Sequence, residues 1–158
     1  MIKRIIKKTG IAFLGLALGL ALGLVLTTPV WAGTSTSPTG YYSAYGHNYS
    51  NYSGITTGST SGRLYANAWT RAQTNPITNE VPAGYLGARA RMYNSSGTLV
   101  ASTSFIYSST KTNILNSDFA SYTPTKGSSY YSQGATQAYN GNGYTTYTTF
   151  ASPSQTAQ

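Results

Sequence analysis

Apolar and polar side chains alternate with a period of two along several stretches of the chain. In residues 64–73, Leu64, Ala66, Ala68, Thr70 and Ala72 fall on one side, and Tyr65, Asn67, Trp69, Arg71 and Gln73 on the other. Residues 85–93 repeat the scheme, with Leu86, Ala88, Ala90 and Met92 opposed to Tyr85, Arg89, Arg91 and Tyr93. Successive Cβ atoms leave opposite faces of a strand, so this pattern predicts half-buried strands. Asn94-Ser95-Ser96-Gly97 reads as a loop whose glycine can take positive φ, and residues 98–107 as the returning arm of a hairpin. A second hairpin is expected from residues 134–139 through Asn140-Gly141-Asn142-Gly143 into residues 144–150. Pro76, Pro82 and Pro124 punctuate the connections. Residues 112–120, with Ile114, Leu115 and Phe119, are where a short helical turn is expected. Residues 33–40 and 152–158 read as a flexible N-terminal segment and a C-terminal tail, both frayed. Six to eight short strands joined by hairpins predict an all-β domain over residues 41–151, an antiparallel β-sandwich or small barrel. Its small inward Ala, Thr and Gly residues would let two sheets approach closely, with Tyr rings filling the edges.

The first 32 residues follow a different rule. A cationic start with Lys3, Arg4, Lys7 and Lys8 precedes an uncharged apolar run, and Val30-Trp31-Ala32 places small residues where a signal peptidase needs them. Pro29 breaks the signal helix just before that site. The expectation is a signal peptide cut between Ala32 and Gly33, giving a secreted, extracellular protein. The competing reading is an uncleaved anchor, since residues 9–32 carry no charge and are long enough to span a bilayer. Either way the cations stay behind and residues 33 onward are exported.

Charge changes the picture less than its total suggests. The 158 residues carry a formal net charge of +8, but four of the ten Lys and Arg lie in the leader, and only 8% of residues are charged. A basic nucleic-acid surface is therefore not expected, nor any membrane contact except through the leader. With no Cys, thiol chemistry and Cys-bound metals are excluded. The chain has one His (His47) and two acids (Glu80 and Asp118). Gly58-Ser59-Thr60-Ser61-Gly62 places Thr where a nucleophile elbow needs Ser. Glu80 and Asp118 sit in loops, where turn and capping chemistry accounts for them. No enzyme, metal site or cofactor is expected. Three Asn-X-Ser matches, at Asn48, Asn51 and Asn94, are what a chain this rich in Asn and Ser produces without selection.

The outward residues of the two best strands are more informative. Tyr65, Trp69 and Arg71 on one, and Tyr85, Arg89, Arg91 and Tyr93 on the other, would form a stripe of rings and guanidinium groups if the strands were neighbours. Arg forks onto anions and aromatic rings stack on sugars, which suits an anionic or glycan component of a cell envelope. The plainer reading is a solubilised sheet face rich in β-forming Tyr.

A second aromatic cluster, Tyr41-Tyr42-Ser43-Ala44-Tyr45 and Tyr49-Ser50-Asn51-Tyr52, follows the leader with His47 between its halves. This segment, together with the strand, Asn-containing turn and return strand of residues 83–107, resembles the lactococcin 972 family of secreted bacteriocins. The resemblance covers about residues 40–108, and the chain departs from the family by being about twice as long, with the hairpin at 134–150 extra. It implies a cysteine-free exported β-sandwich that binds a lipid-linked cell-wall precursor. Two functions stand side by side: a non-enzymatic, bacteriocin-like protein binding a cell-wall precursor or surface glycan, and a passive surface or matrix protein or carbohydrate-binding module.

Overall fold

The computed structural model describes residues 33–158; the signal helix and cleavage motif expected up to Ala32 lie outside the described residues. The described residues contain strands and no helix. In chain order these are β1 (Gly33–Thr36), β2 (Gly40–Ala44), β3 (His47–Thr60), β4 (Arg63–Thr74), β5 (Leu86–Arg89), β6 (Arg91–Asn94) and β7 (Leu99–Ser102). There follow β8 (Ile106–Tyr107), β9 (Ile114–Asn116), β10 (Ala120–Tyr122), β11 (Ser129–Ser132), β12 (Ala135–Tyr139), β13 (Tyr144–Thr148) and β14 (Gln155–Thr156). They build an antiparallel sandwich of two layers, not a closed barrel.

The first layer is organised by β3 and β4. They are joined through Ser61 and Gly62, whose φ angles of 50° and 75° suit a tight hairpin turn. β1 and β2 share the free edge of β3, while β9 and β10 share that of β4. The second layer has two four-stranded halves, ordered β14-β11-β6-β7 and β13-β12-β5-β8. In every row the chain runs from one half to the other: β5 into β6, β7 into β8, β11 into β12, β13 into β14. The layer is thus one four-stranded sheet with a transverse crease.

Between the layers the expected faces meet. Ala66, Ala68, Thr70 and Ala72 of the first layer, and Leu86, Ala88, Ala90 and Met92 of the second, are all fully buried. The apolar interior has two parts. Ile55, Ala66, Ala68, Ala90, Met92 and Tyr130 fill one, and Tyr49, Ala72, Val81, Leu86 and Ala138 the other. A belt of buried hydroxyls separates them. There Ser53 Oγ reaches Ser132 O and Phe150 O, each at 3.1 Å, and Ser132 Oγ reaches Arg91 O at 3.2 Å. Gly134 belongs to this level because a methyl group on it would lie 2.7 Å from Arg89 O and collide with Thr70.

The same two-bond clamp recurs at this level on all four edges of the sandwich. The Ser37 amide donates to Ser53 O (2.8 Å) while Ser37 Oγ accepts from the Ser53 amide (3.0 Å). Ser117 does the same to Thr70 (2.8 and 3.0 Å), Thr103 to Ala90 (3.1 and 3.0 Å) and Ser152 to Ser132 (2.8 and 3.0 Å). A hydroxyl so replaces the edge strand's next carbonyl, satisfying a buried amide where the ladder is interrupted.

Three expectations need correction. Residues 33–40 are not frayed, because β1 pairs with β3 from Gly33↔Thr57 to Thr36↔Gly54. Nor is the C-terminal tail, since β14 pairs with β11 and Ala157 is fully buried. Ile114 and Leu115 form β9 on the edge of β4 and not a helical turn: pairing with Gln73 and Ala72 overrides local pattern. The hairpin at 134–150 is present as β12 and β13, paired from Ala135↔Thr148 to Tyr139↔Tyr144.

Candidate functional site

The residues expected to form one stripe are divided between two faces. β4 pairs with β3, β9 and β10, whereas β5 and β6 belong to the opposing layer. Because Ala66 and Ala68 face Ala90 and Met92 in a shared core cluster, the alternate residues of these strands point away from one another. Tyr65, Trp69 and Arg71 therefore lie on one outer face, and Arg89, Arg91 and Tyr93 on the other. Sequence alternation assigns a face within a strand but not the sheet to which the strand belongs.

On the second face the cations are engaged locally. The Arg89 guanidinium lies 4.6 Å from the centre of the Phe105 ring. Arg91 Nη1 donates to Tyr93 OH at 3.4 Å, and Tyr93 stacks on its cross-strand partner Tyr131 at 5.3 Å. The Nε atoms of both arginines are buried without a partner, so both side chains lie along the sheet. Tyr85 sits elsewhere, in a ring cluster at one end of the sandwich with Tyr139 (4.9 Å) and His47 (5.8 Å).

The first face contains a cleft of about 410 Å³ lined by Thr56, Trp69, Arg71, Asn116, Ser117 and Phe119. Its geometry follows from cross-strand pairing. Trp69 stands opposite Gly54 on β3, and Tyr65 opposite Gly58. With no Cβ in the way, the indole lies down on the Gly54 backbone and the Tyr65 ring on Gly58. Tyr52 meets the indole edge-on at 5.6 Å. Arg71 is held from two sides: its Nε donates to Asn116 Oδ1 at 2.7 Å, and its guanidinium lies 5.5 Å from the Tyr52 ring centre. Neither Nη group bonds within the described residues, leaving a preset fork. Phe119, 62% exposed, forms the opposite wall. The arrangement offers a flat apolar platform, a two-pronged cation and neighbouring hydroxyl and amide groups.

Sequence reasoning reached Trp69 and Arg71 but missed Tyr52, Asn116, Ser117 and Phe119. The first was placed in the separate post-leader cluster. The others arrive through the pairing of Arg71 with Asn116, a contact between residues 45 positions apart.

Among the described residues no group of three His, Asp or Glu side chains is placed to hold a metal. Glu80 forms an exposed ion pair with Lys111 (2.9 Å), and Ser117 Oγ donates to the Asp118 carbonyl (2.8 Å). No family model matches the chain, and neither a curated protein nor a solved structure is significantly similar to it.

Proposed function

We propose that the chain is an exported, non-enzymatic binding protein that recognises an anionic or glycan component of the cell envelope; the lactococcin 972 resemblance implies that this is a lipid-linked cell-wall precursor. In this reading the Trp69–Arg71–Phe119 cleft takes the place of the broader aromatic and arginine stripe. The observation that carries it is the Trp69 platform beside Arg71, whose free fork lies next to a ring-sized apolar surface. A sugar ring presents an apolar face to indole, and a carboxylate or phosphate substituent accepts the guanidinium fork.

Binding of the exported chain to isolated cell walls and to lipid-linked cell-wall precursor tests the proposal. Loss of one charge-assisted contact costs about 1.5–3 kcal/mol, so Arg71→Gln is expected to weaken binding by roughly ten- to a hundredfold. Trp69→Ala removes the platform and weakens binding as well, while Arg89→Ser and Arg91→Ser on the far face leave it unchanged. Equal binding by the folded Arg71→Gln and wild-type chains would refute the assignment and favour a passive surface or matrix role.

A further inference from the structure

We propose a second binding site, distinct from the Trp69 cleft, that takes a neutral hexose oligosaccharide. It lies between the layers, where the edge strand β2 of the first faces the edge strand β13 of the second. The cleft there measures about 630 Å³, within the usual range for small-ligand sites. Its lining includes Tyr41, Tyr42, Asn51, Tyr147 and Phe150 and no charged side chain. That absence excludes an ionic anchor and separates its ligand chemistry from that of the Arg71 site.

The cleft has a built floor. Tyr42 stacks between Tyr49 (5.4 Å) and Tyr147 (3.9 Å), bridging the two layers. Tyr147 OH donates to Ser43 O at 3.2 Å, fixing the bridge across the edges. Asn51, only 2% exposed, lies below. Its Nδ2 donates to Thr136 Oγ1 at 2.8 Å, and Thr136 is also bonded to Tyr42 OH at 3.1 Å. Asn51 Oδ1 receives no hydrogen bond from the described residues. It is kept open by Gly40, where a methyl group would lie 2.6 Å from this oxygen. The oxygen is not sealed from solvent, so it stays open to a donor that enters the cleft. The mouth is framed by the Phe150 ring, which is 56% exposed. An exposed ring beside a recessed, unpaired acceptor suits a ligand with apolar ring faces and hydroxyl donors but no charge, which describes a hexose ring.

The test is titration of the exported chain with cellotetraose and maltotetraose, monitoring affinity and the Asn51 side-chain amide resonance. At least one sugar should saturate, shift that resonance and bind independently of salt. Phe150→Ala alters an exposed ring and should keep the fold while weakening binding about tenfold. Gly40→Ala, with folding verified by circular dichroism, should abolish binding by covering Oδ1. Trp69→Ala should leave it unchanged, so failure here and failure at the Arg71 site are separable. The proposal is overturned if neither sugar saturates, if the Phe150 variant binds normally, or if Trp69→Ala removes the binding. Saturation by a proline-rich peptide and not by either sugar would overturn it as well.

Discussion

Placing a methyl group on Gly54 tests whether the Trp69 platform depends on its glycine. The new Cβ would lie 2.5 Å from Trp69 Cε2 and 2.9 Å from Nε1. Comfortable carbon–carbon contact needs about 3.5–4.0 Å, so the indole must lift by roughly 1 Å or leave the sheet. Overpacking of this kind costs about 1–3 kcal/mol. Gly54 has no positive φ, so alanine gains about 0.4–1 kcal/mol by restricting the unfolded chain. The expected net loss for Gly54→Ala therefore lies between about 0 and 2.5 kcal/mol and centres a little above 1. Denaturant unfolding of residues 33–158 measures it, and Trp69 reports directly because it is the only Trp in that span. The same substitution in a Trp69→Ala background should reverse sign, since no ring remains to clash and only the entropic gain survives. Equal destabilisation in both backgrounds would refute the argument that the ring rests on this glycine.

Leu86→Asp and Ala90→Asp each bury an unpaired carboxylate at several kcal/mol and should prevent folding, whereas Arg89→Ser should not; circular dichroism distinguishes the three. Burial pushes the Tyr49 hydroxyl up to about 12 from the ordinary 10.0 and raises Tyr42 further. The folded state therefore holds these protons more tightly than the unfolded chain, and stability should fall as pH rises above about 10. The loss should accumulate between about pH 10 and 12; tyrosinate absorbance and unfolding midpoints should move together, and an unchanged midpoint over this interval would contradict the burial argument. N-terminal sequencing of exported material should begin at Gly33; an intact leader in the membrane fraction would support the anchor reading instead.

Which residues face the interior was legible because burial in a strand follows every second residue, and Ala66 to Ala72 and Leu86 to Met92 keep that beat. The crease was not legible for the same reason. Alternation runs through Ala90 undisturbed, and the break is marked by tertiary hydrogen bonds such as the pair exchanged between Ala90 and Thr103. The ends were misread because Gly33–Thr36 and Gln155–Thr156 have weak local signals and become strands only on templates formed by β3 and β11. The candidate site was half legible. Trp69 and Arg71 announced themselves by type and face, but Phe119 and Asn116 join them through a loop and a register that no local pattern encodes.

The four hydroxyl clamps also bear on solubility. A chain this poor in charge and rich in Tyr and Thr has the makings of stacked, self-templating sheets, and long open strand edges would invite them. Each clamp divides an edge into two segments, none longer than five residues, and redirects the backbone between them. An approaching strand finds no extended row of free amides and carbonyls to copy. Resistance to edge-to-edge pairing is thus written into Ser37, Thr103, Ser117 and Ser152, in place of the lysines that usually guard such edges.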